Sequence, residues 1–212
     1  MTGCAQLGME MPDMPQLPSL KSLMPAAPTP PQGPQPSIAL LEGAVIAVAA
    51  EGYCVDSAAS NPAQGFAIIA TCATLGVSPK APVANGIITV QVGAADTAIV
   101  AQDPAGFAAF VQTFDGERIL SRAQDAETVE MDGVEQAEGY VRATFRDSAD
   151  HPFGSMQDQT WRGFFDLKTR LVTVSVNGFD ADPLDAGAGT ALLNATVTAI
   201  IGANTPETGD DS

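Results

Sequence analysis

Positive charge is scarce in this chain of 212 residues. Lys and Arg together number 9, against 25 Asp and Glu, so the formal net charge is -16. A surface this acidic repels phosphate, which excludes nucleic acid as a partner and excludes a basic patch for anionic lipid headgroups. Hydrophobic residues still make up 45% of the chain, as is normal for a folded domain.

Residue types that carry catalysis or bind metals are also sparse. The chain has 3 Cys and 1 His, and neither Cys54 nor Cys72 has a His or a CxxC partner nearby that would activate it. Gly187-Ala188-Gly189 lacks the GK[ST] of a phosphate loop, and the flanks of Ser175 do not match a nucleophile elbow. We therefore expect no catalytic residue, no metal and no cofactor.

One loop gathers the remaining groups that could form a metal or acid–base site. These groups are Asp147, Asp150, His151 and Asp158. One His with scattered aspartates has no diagnostic ligand spacing. The His-Pro and Phe-Gly pairs in the same loop favour a solvated turn with Asx hydrogen bonds. We favour the turn, and an envelope enzyme that uses the loop 147–158 is the alternative.

Four arginines in the later part of the chain could bind an anion on one face of a sheet. They are Arg142, Arg146, Arg162 and Arg170. Because acids are in such excess, we favour ion pairs with neighbouring Asp and Glu.

Proline is concentrated near the amino terminus. Nine of the 16 prolines lie between Pro12 and Pro36. Proline fixes φ and removes a backbone donor, so the segment can neither pair as a regular strand nor continue as a helix. We predict a disordered, semi-rigid linker over residues 6–37, which reaches about 80 Å in extended polyproline form.

The first five residues, Met1-Thr2-Gly3-Cys4-Ala5, resemble the lipobox of bacterial lipoproteins. The resemblance implies that Cys4 becomes the lipidated first residue of the mature protein. It also implies a place in the bacterial periplasm, with the lipid in the inner or outer membrane. The basic and apolar regions of a signal peptide do not precede Cys4 here, so we expect the reading frame to begin upstream.

With Cys4 assigned to lipid, Cys54 and Cys72 remain, and both lie in apolar, strand-like runs. The turn-rich segment Ser57–Gly65 between them allows the two runs to pair as antiparallel strands. A disulfide between them would be worth about 3 kcal/mol in the chain-entropy model and requires an oxidising compartment. Two buried free thiols are the alternative; we favour the disulfide.

The remaining sequence predicts an α+β domain over residues 38–202, followed by a disordered acidic tail over 203–212. The longest apolar run, Ile38–Ala50, contains Glu42 and is too short for a bilayer, so we interpret it as a buried strand and expect no membrane span. The other predicted strands are Phe66–Cys72, Ile87–Val92, Thr128–Met131, Gly139–Phe145, Thr160–Leu167 and Leu171–Val176. Residues 160–176 form the clearest hairpin. Alternating polarity in the later strands indicates an antiparallel sheet.

Two main helices are predicted to cover one face of this sheet. The first opens with Asp103 as cap and Pro104 in the first turn, and it ends at Asp115-Gly116. Phe107, Phe110, Val111 and Phe114 share one side of it and should face the core. The second opens at Asp182-Pro183 and ends at Gly202.

The order of three strands, a helix, a meander and a final helix resembles the PsbP-like and DcrB-like domains. The matching segments are Glu51-Gly52-Tyr53, Val134-Glu135-Gln136-Ala137 and Gln159-Thr160-Trp161-Arg162. The resemblance implies an interaction role without an established catalytic centre, so no site residue is carried over.

These observations lead us to expect a lipid-anchored, non-catalytic accessory or binding lipoprotein of the bacterial cell envelope. Its partners would be the membrane, through the lipid on Cys4, and a protein of the envelope. Besides the enzyme with the loop 147–158, a soluble domain whose sheet edge docks a partner protein is the other alternative.

Overall fold

A computed structural model describes residues 33–78, 82 and 84–205. The predicted lipidation at Cys4, most of the linker and most of the acidic tail lie outside these residues. The described part is an α+β fold built on a large antiparallel sheet with the strand order β3-β4-β5-β9-β8-β7-β6. The strands are β1 Ser37–Leu40, β2 Val45–Val48, β3 Tyr53–Asn61, β4 Phe66–Thr71, β5 Gly86–Val92, β6 Val129–Ala137, β7 Tyr140–Asp147, β8 Met156–Leu167 and β9 Arg170–Phe179. The helices are α1 Pro104–Val111, α2 Phe114–Leu120 and α3 Ala186–Asn204.

The hairpin predicted over residues 160–176 is confirmed by β8 and β9. These strands pair antiparallel up to Leu167 and Arg170, so Lys168 and Thr169 form the connection. Lys168 has a φ of 56°, in the left-handed region that tight hairpin turns require.

The prediction of one buried strand over Ile38–Ala50 is wrong. The segment folds back on itself as the hairpin β1–β2, with Leu41 and Glu42 at positive φ in the turn. Glu42 therefore lies at a solvent-exposed bend, while Leu40 and Val45 on either side are fully buried. A charged residue within an apolar run marked the turn between two short strands.

The folded part also begins earlier than the predicted boundary at residue 38. Gln35 exchanges two backbone hydrogen bonds with Val55 of β3, its N–H donating at 3.1 Å and its C=O accepting at 2.7 Å. Gln35 can pair because β3 is at the edge of the large sheet, where the prolines on either side of Gln35 are tolerated.

The predicted disulfide between Cys54 and Cys72 is present, with a Cα–Cα distance of 4.9 Å. The turn predicted over Ser57–Gly65 is shorter than expected, because β3 continues to Asn61. Asp56 supports this extension, since its Oδ1 accepts the N–H groups of Ala58 and Ala59 across an irregularity in the pairing.

Helices cover both faces of the sheet, not one as predicted. α3 and the β1–β2 hairpin pack on one face, against buried residues such as Trp161 and Phe165. α1 and α2 pack on the other face, against Phe145 and Phe164. Neighbouring residues of β8 therefore point into different cores, as the period of two in a strand requires.

The first predicted helix is interrupted. It ends at Val111, and α2 begins at Phe114 with Thr113 as its cap, whose hydroxyl accepts the N–H of Gly116. Gly116 does not end a helix as predicted; a Cβ there would lie 2.2 Å from the carbonyl oxygen of Phe110. Phe107 and Val111 face the core as predicted, whereas Phe110 is 40% exposed and Phe114, beyond the turn, is 67% exposed.

The last helix begins later and ends later than predicted. Asp185, not Asp182, caps α3 by accepting the N–H of Ala188, and the helix continues through Gly202 to Asn204. The side chain of Asn204 then bonds both the N–H and the C=O of Ile46 in β2.

By length and composition alone, α3 is apolar enough to cross a membrane, which the sequence expectation missed. In the structure it is the helix over the main core, where Leu193 and Ile200 are completely buried.

Candidate functional site

The loop 147–158 does not assemble its four polar groups into one site. Asp147 is completely buried, whereas Asp150 and Asp158 are exposed. Nδ1 of His151 accepts the N–H of Phe153 at 3.2 Å. Burial, followed by the nearby Arg122, lowers the pKa of His151 below its ordinary value. Among the described residues, no group of three or more His, Cys, Asp and Glu could hold a metal ion.

Asp147 belongs to a buried polar network beneath α2. Its carboxylate accepts the N–H of Arg122 at 2.7 Å, the hydroxyl of Thr128 at 2.8 Å and the N–H of Ala149 at 3.0 Å. The Arg122 guanidinium lies 3.6 Å away and donates to backbone carbonyls of the same loop. A buried carboxylate with this many donors holds the end of α2 to β7.

Arg162 makes further hydrogen bonds on the face of the sheet that α2 covers. Its Nε donates to the hydroxyl of Ser175 at 2.8 Å, and its Nη1 donates to the Leu120 carbonyl at 3.1 Å. The guanidinium also lies 5.2 Å from the centre of the Phe145 ring. Burial lowers the pKa of Arg162 to about 10, which is still high enough to keep the charge at neutral pH.

The opposite face of the sheet is open beside α3. This helix contacts β2, β8 and β9, whereas β6 and β7 continue beyond it. The result is a groove between α3 and the β6–β7 hairpin, called the α3 groove below. Among the described residues, three cavities follow one another along β7 in this groove. They are an outer cavity of about 520 Å³, a middle cavity of about 230 Å³ and an inner cavity of about 380 Å³.

The outer cavity, of about 520 Å³, lies at the carboxyl-terminal end of α3. Ile201 and Ala137 supply apolar walls, and the hydroxyl of Tyr140 donates a short hydrogen bond to Oδ1 of Asn194. Burial raises the pKa of Tyr140, so this phenol stays protonated at neutral pH.

Ion pairs line the floor of the groove. Arg142 pairs closely with Glu135, and Arg146 lies 3.5 Å from Glu130 and 3.6 Å from Asp132. The preference for ion pairs over anion binding is therefore confirmed for these two arginines. The alternative of an anion site on one shared face is wrong, because Arg162 lies beneath α2 on the opposite side.

Trp161 lies beneath the first turn of α3 and lines both the middle cavity, of about 230 Å³, and the inner cavity, of about 380 Å³. It is 1% exposed, and its Nε1 has no hydrogen-bond partner among the described residues. Leaving a buried donor unsatisfied costs about 1–3 kcal/mol. Gly189 permits this arrangement, since a Cβ there would lie 2.4 Å from Cδ2 and Cε2 of the indole.

Two hydroxyl groups share the middle cavity with the indole. Thr144 of β7 and Thr190 of α3 are half-buried, and neither side chain bonds another described residue. The middle cavity is therefore lined by two hydroxyls without a partner among the described residues, in contrast to the network around Asp147.

Sequence reasoning missed the α3 groove, although one signal for it is present. Alternate positions of β7 are polar on one side, at Arg142, Thr144 and Arg146, and apolar on the other. That pattern identifies a face that is not fully covered. It does not show that α3 stops short of this face, because the position of α3 depends on tertiary packing.

No family model matches this chain, and no curated protein matches it. A solved structure of a mutant of protein Mog1 resembles it, with 14% sequence identity and a TM-score of 0.45 over 79% of this chain and 94% of that chain. A likeness of this degree supports neither a fold assignment nor a function.

Proposed function

We propose that this chain is a non-catalytic binding lipoprotein of the bacterial cell envelope. Cys4 carries the lipid, the proline-rich segment from residue 6 is the spacer, and the α+β head lies in the periplasm. The head is a PsbP-like domain in which α1 with α2, and α3, are the two main helical units. The α3 groove is its binding surface.

The disulfide between Cys54 and Cys72 is the observation that carries this proposal. It ties β3 to the end of β4, and such bonds persist in compartments outside the reducing cytosol. The third cysteine, Cys4, is left over, and its Gly-Cys context and the prolines that follow agree with a lipid anchor.

A binding role is supported by how the polar groups are distributed. Asp147, the buried carboxylate of the loop 147–158, is committed to three hydrogen bonds. Thr144 and Thr190 in the α3 groove carry hydroxyls that bond no other described residue, and no described nucleophile and base are in contact there. If the enzyme alternative were right instead, the paired change of Asp150→Ala and His151→Ala would abolish an activity or phenotype of the host.

The test is the mass of the N-terminal tryptic peptide of protein from its native host. Lys21 is the first tryptic site, so a processed lipoprotein yields Cys4–Lys21 carrying a diacylglyceryl group. A Cys4→Ser variant should leave the membrane fraction, while a Cys54→Ser variant should stay in it. An unmodified peptide that still contains Thr2 and Gly3, from a chain in the soluble fraction, contradicts the anchor and favours the soluble interaction domain.

A further inference from the structure

Arg162 carries a charge for which the fold supplies no counterion. Four of the six arginines form ion pairs with Asp or Glu, and the two that do not, among the described residues, are Arg162 and Arg170. Arg170 lies at the hairpin turn, whereas Arg162 lies in the middle of β8. Acids outnumber bases by 25 to 9, so an arginine of the central sheet that lacks an acid differs from the rest of the chain. Its guanidinium is free to pair with an anion from outside.

Solvent reaches this guanidinium although it lies deep in the protein. Burial lowers the pKa of Arg162 to about 10, yet its side chain is only half-buried. Its Nε donates to the hydroxyl of Ser175 and its Nη1 donates to the carbonyl of Leu120, whereas Nη2 bonds no other described residue. The only completely buried side-chain nitrogen or oxygen that lacks a partner in the described part is Nε1 of Trp161, so Nη2 is accessible.

The charges near Arg162 attract an anion. Arg122 and Asp147 are the charged groups that act on it, and they pair with each other at 3.6 Å. No Asp or Glu occurs in the surrounding segments of the three central strands, residues 86–92, 160–165 and 171–178. At physiological salt the Debye length is about 8 Å, so the more distant acids that give the net charge of -16 are screened. The positive charge of Arg162 therefore dominates at short range.

Hydroxyl groups continue from Arg162 across the sheet. Ser175 of β9 lies directly opposite Arg162, and Thr89 of β5 lies directly opposite Ser175, so the three side chains share one face. On this face α1 and α2 contact β6 and β7, and β5 lies three strands from β7. Thr89 is half-buried, and its hydroxyl bonds no other described residue. This hydroxyl is a second donor on the side of Arg162 that the helices leave uncovered.

A carboxylate matches these donors. It accepts hydrogen bonds through two oxygens and carries one negative charge, which is the charge that Arg162 leaves uncompensated. A phosphate group carries more negative charge than one guanidinium offsets, and it would lie near Asp147. A cation finds no acceptor at Nη2, because a guanidinium only donates.

We propose that Nη2 of Arg162 and the hydroxyl of Thr89 form a binding site for a carboxylate group on the face of the sheet beside α2. The carboxylate belongs to a small organic acid or to an Asp or Glu side chain of a partner protein. This inference depends neither on the lipid anchor nor on the α3 groove, which lies on the other face of the sheet.

The experiment is an NMR titration of the nitrogen-15-labelled full chain, in which sodium acetate replaces sodium chloride at constant ionic strength. The reporters are the Nε–H signal of Arg162 and the backbone N–H signal of Ser175, and we expect both to move to saturation. N-acetylglutamate amide, whose side-chain carboxylate is its only charge, is the second probe. Tighter binding of this probe than of acetate identifies a protein side chain as the ligand, and binding of acetate alone identifies a small acid.

Two variants test the two donors. Thr89→Val should weaken binding by about fivefold to tenfold, the worth of one hydrogen bond. Arg162→Lys keeps the charge but loses the planar fork, so it should weaken binding by at least about tenfold. Thr144→Val is the matched control, because Thr144 is a half-buried strand threonine on the other face of the sheet, and it should leave the affinity unchanged. Thermal unfolding of each variant separates loss of binding from loss of folding.

Three results would overturn the proposal. If neither acetate nor N-acetylglutamate amide moves the two signals, no carboxylate binds at Arg162. If sodium chloride alone moves them as far as acetate does, the site attracts any anion and does not select a carboxylate. Binding that survives both Thr89→Val and Arg162→Lys in folded protein places the carboxylate elsewhere on the chain.

Discussion

The two faces of the sheet beneath β7 and β8 use their polar residues in opposite ways. Under α2, Asp147 is buried, Arg122 and Arg162 are half-buried, and each has hydrogen-bond partners inside the protein. Beside α3, Trp161 and Thr144 are polar groups that no other described residue bonds. The network around Asp147 on the first face satisfies its polar groups inside the protein, and the second face leaves some of them without an internal partner.

Neighbouring residues of one strand contribute to the two faces separately. Arg162 and Trp161 are adjacent in sequence but point to opposite faces of β8. The larger effects of mutation on stability are therefore expected under α2, and the smaller ones beside α3.

The largest effect on stability is expected for Asp147→Ala. It removes the acceptor of three hydrogen bonds and leaves Arg122 without its buried anion, which costs about 3–5 kcal/mol in the free energy of unfolding. Urea unfolding measures it. Asp150→Ala is the control: its side chain is exposed, so the change should stay within about 0.5 kcal/mol. Equal effects from the two variants would place Asp147 outside any stabilising network.

The paired change of Cys54→Ser and Cys72→Ser comes next. Loss of the cross-link should lower the free energy of unfolding by about 3 kcal/mol, because the unfolded chain regains the entropy of a loop with a sequence separation of 18. Unfolding of the wild type with and without reductant measures the same difference. A reductant that leaves the unfolding midpoint unchanged argues against the bond.

A pair of threonine variants compares the two faces directly. Thr128→Val breaks a hydrogen bond of 2.8 Å to the Asp147 carboxylate and should cost about 1.5–3 kcal/mol. Thr144→Val removes a hydroxyl without a described partner and should change stability by less than about 0.5 kcal/mol. If Thr144→Val proves as costly as Thr128→Val, the hydroxyl of Thr144 has a structural partner and the contrast between the faces fails.

The smallest effect is a dependence on pH through His151. Burial and Arg122 lower its pKa in the folded state, so the unfolded chain binds the proton first as the pH falls. His151 thus has no effect on stability well above its ordinary pKa of 6.5 and destabilises the fold below it. The wild type should lose more stability than His151→Gln between about pH 7 and pH 5. Parallel pH profiles would contradict the lowered pKa.

Local pattern sufficed to predict some parts of the fold. Alternation identified the β8–β9 hairpin, and the spacing of Cys54 and Cys72 across a turn predicted the disulfide. The interruption of the first helix at Thr113 could not be predicted, because the periodicity of the phenylalanines continues unchanged through it. The contact of Gly116 with the backbone of α1, which tilts Phe114 outward, is a tertiary effect.

The site was predicted less well than the fold. The sequence drew attention to His151 and its neighbouring aspartates, which are chemically conspicuous but serve the turn and the network under α2. Trp161 and Thr144 were not selected, because neither residue type is unusual in a strand. Their significance depends on missing hydrogen-bond partners, which appear only once α3 is positioned over β8.

The most direct test of the contrast between the two faces is the indole N–H resonance of Trp161 in nitrogen-15-labelled full chain. A chain with a single tryptophan gives a single indole signal. We predict that Thr128→Val moves the backbone N–H signal of Arg122, held by Asp147, and leaves the indole signal unchanged, whereas Thr144→Val moves the indole signal and leaves that of Arg122 unchanged. An indole signal that moves with Thr128→Val would show that the two faces do not act separately.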